Sequence, residues 1–322
     1  MNITSLSCRT YLSDLPSPVW KWTFGVINTI NSLTATIANS LAFYIMLSSQ
    51  DMQTLSNRIL ISLIITDLIA GVSVAPLHAA QLLVTSVSLN CTVEQVRRSL
   101  AAVLVGASAL TVATISYDRY LHLTKLNNYY KYMTKQKVTG FLILAWLVPG
   151  SLPIIRMRLN TEKAYVSIFT TLMLSIFVVL IVFYALTLSS LRERAAWRQK
   201  SAQIERQQMR TVKTVITIIT CYVVMGLPIT IPIILMHVNI PQTTMNTVYV
   251  STLTLNMLNS TANPIIYYYR NRSIRKSARK LFGLDSWQSQ NSFSSDGQAT
   301  KNRSSTVASV SITQSLDTMT TI

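Results

Sequence analysis

The stretch SYDRYLHLTK, residues 116–125, decides the fold of this chain because it places an acid and a base at the end of a long apolar segment. Ionised groups beside hydrocarbon are costly unless they are paired or have a function. Asp118-Arg119-Tyr120 alone is a common tripeptide. Its meaning therefore depends on the segments that surround it.

The composition favours an integral membrane protein. Half of the residues are hydrophobic and 12% are charged, with a mean hydropathy of +0.37, whereas soluble domains have about 25% charged residues. The net charge is +17. The basic residues lie between apolar segments rather than along one face, which argues against nucleic-acid binding.

Seven apolar segments are each long enough to cross about 30 Å of hydrocarbon as a helix. They cover residues 22–48, 57–85, 96–123, 138–157, 164–191, 211–238 and 244–269. The sequence therefore predicts an all-α membrane protein that folds as a seven-transmembrane helix bundle.

The basic residues predict the orientation of this bundle. Seven of the 28 Lys and Arg residues fall on one side of the segments and the other 21 on the opposite side. Cytoplasmic loops are the richer in Lys and Arg, so we expect a multi-pass plasma-membrane protein with its amino terminus outside. The expected parts are an extracellular amino terminus (1–21), the bundle (22–269), a cytoplasmic amphipathic helix (270–283) and a disordered Ser/Thr-rich cytoplasmic tail (284–322).

Residues 270–283 carry apolar side chains at helical spacing, with Arg and Lys opposite them. This pattern predicts a short eighth helix that lies on an anionic membrane surface. On the outer side, Asn2 begins a glycosylation sequon, and Cys8 and Cys91 are candidates for a disulfide bond in an oxidising compartment.

Polar residues interrupt the apolar segments at Asn39, Asp67, Ser108, Asn259, Ser260 and Asn263. One interpretation is structural, because such groups form hydrogen bonds between membrane helices. The other is a small hydrated cation site in which Asp67 supplies the charge and neutral oxygens complete the ligands. The two interpretations are compatible, and spacing alone leaves both open.

Each of the seven apolar segments carries one characteristic residue or short motif, which we call its mark. The marks are Asn39, Leu63 to Asp67, Asp118-Arg119-Tyr120, Trp146, Tyr184, Pro228 and Asn263-Pro264-Ile265-Ile266-Tyr267. In this order the chain resembles the rhodopsin-like (class A) G protein-coupled receptors from residue 22 to about residue 283. A short second outer loop and the lack of two common family features loosely resemble the melanocortin, cannabinoid and lysophospholipid branch.

The resemblance implies a receptor that activates a heterotrimeric G protein and is not an enzyme. The residues implied in coupling and activation are Asp118, Arg119, Tyr120, Tyr184, Asn263, Pro264 and Tyr267. Those implied in an allosteric sodium site, the one cofactor expected, are Asp67, Ser108, Asn259 and Asn263. The further partners implied are an extracellular ligand, membrane lipids, receptor kinases and arrestin.

The chain also departs from the family pattern. Glu94 stands where the family has a disulfide cysteine, and Gly226 stands where most members have a switch tryptophan. Tyr222 is our candidate for the moving aromatic residue instead. Gln208 replaces the acid that locks Arg119 in many members, which predicts raised basal activity.

The ligand pocket is predicted from the outer halves of three segments. The candidate residues are Glu94, Arg97, Arg98, Ala101, Val105, Ile229, Ile233 and Tyr249. An apolar cavity beneath arginines suits an anionic lipid, because guanidinium binds phosphate or carboxylate with paired donors. The alternatives are that the arginines extend to the lipid headgroups and bind nothing particular, or that the ligand is a peptide.

By the same resemblance, the chain lacks the residues that anchor three classes of ligand. Ala101 replaces the aspartate of amine receptors, Met257 replaces the retinal lysine, and Ile233 replaces the adenosine-binding asparagine. The competing functions are a membrane transporter and a receptor-like protein that no longer signals. No metal-spaced His/Cys cluster favours an enzyme.

Overall fold

A computed structural model describes residues 17–48, 54–84, 91–125, 128–159, 162–196, 202–235, 240–270 and 272–281. Within these ranges every regular element is a helix. The predicted glycosylation site at Asn2, the cysteine Cys8 and the tail beyond residue 281 lie outside the described residues.

The helices are numbered in chain order. They are α1 (Pro18–Ser48), α2 (Leu55–Leu83), α3 (Cys91–Thr124), α4 (Tyr129–Tyr132), α5 (Lys135–Arg158), α6 (Glu162–Ala196), α7 (Ala202–Gly226), α8 (Ile231–Leu235), α9 (Gln242–Arg270) and α10 (Arg272–Leu281). Each of the seven predicted segments falls on a long helix or on a helix series, which confirms the prediction of an all-α membrane bundle.

Five of the described helices are long and apolar enough to cross a membrane, namely α1, α2, α3, α5 and the Ala164–Arg192 part of α6. The apolar part of α7 and its continuation, Ile216–Thr230, is shorter. Large apolar side chains are exposed along these helices, among them Leu147 and Val178. Exposed side chains of this kind suit contact with lipid rather than with water.

Helix α3 lies at the centre of the bundle and packs against α2, α5, α6 and α7. Helix α1 packs against α2 and α9, and α9 packs against α7. The contact between α3 and α5 is close at Gly106, where an added Cβ atom would lie 2.7 Å from Cβ of Pro149. A glycine is therefore required at this crossing.

Two helices change their geometry midway. Residues Ala70–Val74 of α2 form a π turn, and the next helical stretch begins with Pro76 in its first turn. Helix α7 ends at Gly226 and continues as a 3₁₀ turn, Leu227–Thr230, which contains Pro228. Proline lacks a backbone N–H and breaks the regular hydrogen-bond ladder, so it accounts for such irregular turns.

The chain divides into two compact units, residues 1–274 and 275–322. All of the sites described below lie in the first unit. The segment predicted as an eighth helix contains α10, Arg272–Leu281. Its placement on a membrane surface stays a prediction.

Candidate functional site

Asp118 lies near the end of α3 and is almost fully buried, with 1% of its surface exposed. Its Oδ2 atom lies 3.3 Å from Nε of Arg119 and accepts a hydrogen bond of 2.8 Å from the Ser56 hydroxyl of α2. The predicted pair of Asp118 and Arg119 is therefore present. The carboxylate is also tied to a second helix, which fixes its position.

Tyr129 of α4 completes the shell around this carboxylate. Its hydroxyl donates to Oδ1 of Asp118 at 2.5 Å, and its ring lies 3.7 Å from the ring of His122 between centroids. Burial, together with the nearby Asp118 carboxylate, raises the pKa of Tyr129 well above its ordinary value, so the hydroxyl stays protonated and donates. Sequence reasoning missed this residue, because only a run of tyrosines marks this loop.

The three tyrosines predicted to act with Arg119 are not joined to it by hydrogen bonds among the described residues. Tyr120 packs near Phe183, with ring centroids 6.1 Å apart. Tyr184 lies half-buried on α6. Tyr267 is buried in α9 just after Pro264, and its hydroxyl has no hydrogen-bond partner within the described part of the chain. A buried hydroxyl without a partner is costly.

The predicted polar cluster is assembled in the middle of the bundle. The Asn263 amide donates to Oδ2 of Asp67 at 2.8 Å, joining α9 to α2. A cavity of about 40 Å³ lies beside them, and its wall includes Asp67, Ser108 and Asn259. Asn39 donates to the backbone carbonyl of Ser260 at 2.9 Å, as the structural interpretation expects.

The same cluster meets the chemical needs of a cation. Among the four predicted ligand residues, three have a buried oxygen without a hydrogen-bond partner in the described part of the chain, namely Ser108 Oγ, Asn259 Oδ1 and Asn263 Oδ1. A carboxylate with neutral oxygens around it is the ligand type that hard cations prefer. The residues present therefore fit a sodium ion.

A second cavity, of about 150 Å³, lies between α3, α5, α6, α8 and α9. Five predicted pocket residues line it: Arg98, Ala101, Val105, Ile229 and Tyr249. Sequence reasoning missed Arg156, Tyr165, Phe169 and Asn256, which also line it. Arg156 could have been found from the sequence, because it is a basic residue at the end of the fourth apolar segment. The side chain of Ile233 lies outside the described residues.

Glu94 and Arg97 are not among the residues that line this cavity, in contrast to the prediction. Arg97 is 0% exposed, and its Nη2 atom lies 2.7 Å from Oε1 of Glu94. Glu94 also accepts from Gln81 of α2 at 3.0 Å, and Arg97 donates to the Tyr249 hydroxyl at 3.3 Å. The pair joins three helices and turns the Arg97 guanidinium away from both the cavity and the lipid.

Tyr222 lies below the larger cavity, on α7. Its hydroxyl donates to the backbone carbonyl of Val105 at 3.1 Å, and its ring lies 5.9 Å from the ring of Phe177. Tyr222 also lines the cavity beside Asp67. A Cβ atom on Gly226 would already lie 3.4 Å from Phe177, so Phe177 and Tyr222 occupy the space that a large side chain at residue 226 would need.

Two of the three cysteines are described. Cys91 takes part in a disulfide bond, and Cys221 has a free thiol. The pairing of Cys91 with Cys8 stays a prediction.

Comparison with known proteins places these sites in a wider group. The chain matches the family described as 7 transmembrane receptor (rhodopsin family) over residues 38–165 and 151–267. It is 23% identical to adenosine receptor A3 of Canis lupus familiaris over 292 residues, which are 81% of this chain and 90% of the receptor.

Two histamine receptors match over shorter stretches. Identity to the histamine H1 receptor of Homo sapiens is 28% over 141 residues, 44% of this chain and 29% of that receptor. Identity to the histamine H2 receptor of Canis lupus familiaris is 29% over 146 residues, 45% of this chain and 41% of that receptor. The chain thus spans less than half of either histamine receptor.

Proposed function

The chain belongs to the rhodopsin family of seven-transmembrane receptors, and from this premise we propose that release of Arg119 from Asp118 couples the receptor to its G protein. By its family the chain is a G protein-coupled receptor and is not an enzyme. This membership excludes the membrane transporter as an alternative. The second alternative, a receptor-like protein that no longer signals, requires an experiment.

The observation that carries the proposal is the 3.3 Å contact between Nε of Arg119 and Oδ2 of Asp118. The other hydrogen bonds to the Asp118 carboxylate, from Ser56 and Tyr129, hold the acceptor still. Nε of Arg119 makes no hydrogen bond among the described residues. An ion pair without a well-formed hydrogen bond is weaker than an ion pair that has one, so it suits a contact that must open.

Nucleotide exchange on purified heterotrimeric G proteins, reconstituted with the receptor in lipid nanodiscs, tests the proposal. We expect wild-type receptor to accelerate exchange above empty nanodiscs and Arg119→Ala to abolish that acceleration. Arg58→Ala is the matched control, because Arg58 is an exposed base on α2. Equal exchange by wild type and Arg119→Ala would contradict the proposed role. No exchange by wild type would favour the receptor-like alternative.

We also propose that the ligand differs from those named by the relatives. The histamine receptors are named for an amine, but this chain has Ala101 where amine receptors carry an aspartate. The adenosine receptor is named for a nucleoside, but Ile233 stands at the asparagine position. An apolar residue cannot replace the charge or the hydrogen bonds of such an anchor.

An allosteric sodium ion is the third part of the proposal. Asp67, Ser108, Asn259 and Asn263 would hold it, with Asp67 supplying the charge. The three buried oxygens without donors support the site. A bound ion would supply charge compensation for Asp67 and hold α2, α3 and α9 together.

The remaining parts of the proposal concern the receptor's membrane orientation and its cellular partners. The positive-inside rule supports an orientation with the Asp118 end of α3 in the cytoplasm and the Glu94 end outside, and the plasma membrane is the location that we propose. The basic helix α10 supports contact with anionic lipids. Receptor kinases and arrestin are the proposed partners of the Ser/Thr-rich tail.

A further inference from the structure

We propose that the larger cavity binds a small uncharged molecule, an apolar ring with one hydroxyl or carbonyl oxygen, and that this oxygen bonds to the side-chain amide of Asn256. The inference rests on the proposed function, because it names the class of ligand that the receptor would sense. Alcohols and ketones share the chemistry that matters here, which is an uncharged oxygen that accepts a hydrogen bond.

Asn256 of α9 is the residue that leads to this class of ligand. It is 9% exposed, and it lines both the larger cavity and the cavity beside Asp67. Its side-chain amide makes no hydrogen bond with the described part of the chain. A buried amide without a partner is costly, so a ligand oxygen that reaches Asn256 removes a cost that the receptor otherwise carries.

The Asn256 amide lies beside Gly226 of α7. A Cβ atom on Gly226 would lie 3.6 Å from Nδ2 of Asn256 and 3.7 Å from Cε1 of Tyr222. Because glycine has no side chain, residue 226 does not cover Nδ2. The amide offers two N–H donors and one carbonyl acceptor. A hydroxyl or carbonyl oxygen accepts from the donors, and a hydroxyl can also donate to the carbonyl.

The other polar residues of the wall already have interactions within the receptor. They are Arg98, Arg156, Tyr165 and Tyr249. The sequence predicts an anionic lipid from Arg97 and Arg98, but both guanidinium groups pair with Glu94, so neither requires an anionic ligand. Asn256 is itself uncharged, and a buried charge without an ionised partner is costly. An uncharged group therefore suits this amide.

The rest of the wall fits an apolar ring. Apolar side chains from four helical elements line the cavity, among them Ala101, Val105, Phe169, Ile229 and Leu253. The cavity has a volume of about 150 Å³, and an engineered apolar cavity of about 150 Å³ binds benzene. Pockets for drug-sized ligands have roughly 300–1,000 Å³. A molecule with a single six-membered ring therefore fits this cavity better than a larger ligand does.

Thermal unfolding of the purified full-length receptor in lipid nanodiscs tests the inference with molecules of matched shape. Benzyl alcohol is compared with ethylbenzene, and acetophenone with isopropenylbenzene, after correction for partition into the lipid. We expect both oxygen compounds to raise the melting temperature in a saturable way. Their apparent affinity should be about 2- to 13-fold above that of the matched hydrocarbon, the contribution of one uncharged hydrogen bond. Tighter binding of benzylamine, which is a cation at neutral pH, would refute an uncharged ligand.

The variant Asn256→Leu separates the amide from the rest of the cavity, because leucine has a similar volume and no polar group. We expect this variant to bind each oxygen compound and its matched hydrocarbon about equally. Thr252→Val is the control and should keep the wild-type preference. Thr252 lies on the same helix, its hydroxyl bonds to the Val248 carbonyl, and it is not among the described residues that line the cavity.

Two results would overturn the inference. One is equal affinity of the wild-type receptor for the oxygen compounds and the hydrocarbons, which is measured without any variant. The other is a preference for the oxygen compounds that persists in Asn256→Leu, because the oxygen would then be recognised elsewhere.

The two proposals fail separately, because the stability assay contains no G protein. A receptor that prefers the oxygen compounds but does not accelerate nucleotide exchange would refute coupling and keep the ligand class. A receptor that accelerates exchange but shows no such preference would keep coupling and refute the ligand class.

Discussion

Tyr129 donates its hydroxyl hydrogen to Asp118 across 2.5 Å and so joins the short helix α4 to the end of α3. Since Ser56 of α2 donates to the same carboxylate, two helices hold the partner of Arg119 in place. The resting pair is therefore a property of three helices rather than of two adjacent residues.

The variant Tyr129→Phe should lower the free energy of unfolding by about 1.5–3 kcal/mol, the contribution of a hydrogen bond to a charged group. The ring and its packing stay, so the loss isolates the hydroxyl. Thermal unfolding of the purified receptor measures it. Tyr130→Phe is the matched control, because Tyr130 is 77% exposed. Equal stability of the two variants would show that the bond to Asp118 contributes nothing.

Tyr222→Phe should raise nucleotide exchange without ligand by about 2- to 13-fold. The hydroxyl of Tyr222 ties α7 to the Val105 carbonyl of α3, and loss of roughly 0.5–1.5 kcal/mol from the resting state shifts the equilibrium by that factor. Thr220→Val is the control, because the exposed Thr220 hydroxyl bonds only within α7, to the Ile216 carbonyl. An unchanged or lower basal rate in Tyr222→Phe would argue against Tyr222 as a restraint.

Replacing sodium by choline at constant ionic strength should lower the thermal stability of the wild-type receptor. At a sodium concentration ten times the dissociation constant, binding to the folded state stabilises it by about 1.4 kcal/mol. Asp67→Asn keeps the shape and removes the charge, so this variant should respond equally to both salts. A sodium-dependent shift that persists in Asp67→Asn would place the ion elsewhere.

Glu94→Gln should destabilise the receptor by about 3–5 kcal/mol, because it leaves the buried Arg97 guanidinium without its counter-charge. The double variant Glu94→Gln with Arg97→Gln should recover part of that loss, since the fully buried Arg97 charge is then gone and only the partly buried Arg98 has lost its ion pair with Glu94. Thermal unfolding of Glu94→Gln, Arg97→Gln, the double variant and the wild type completes the cycle. Additive losses would indicate that the two side chains do not interact.

The fold was predictable from the apolar segments, and its details were not. The second predicted segment, 57–85, matches the helix Leu55–Leu83 closely, because length and hydropathy determine a membrane helix. The π turn at Ala70–Val74 carries no such signal. Side chains on neighbouring helices decide whether a helix keeps its regular hydrogen bonds.

The site was predictable where a residue has one available partner. Asp67 and Asn263 are 196 positions apart and meet as expected, because a buried acid needs a donor. Arg97 had two choices, the cavity or Glu94. The three-residue spacing of Glu94 and Arg97 on one helix was a signal for the ion pair, but the sequence does not reveal which face of α3 is buried.

The π turn of α2 contains one residue more than a regular α-helical turn. Each residue added to a helical turn rotates everything after it by about 100°, so the additional residue in Ala70–Val74 changes the direction of Gln81, which donates to Glu94. Deleting one residue there would leave Asp67 in place and turn Gln81 away. The number of residues in that turn, rather than their identity, selects which side chains of α2 reach Glu94.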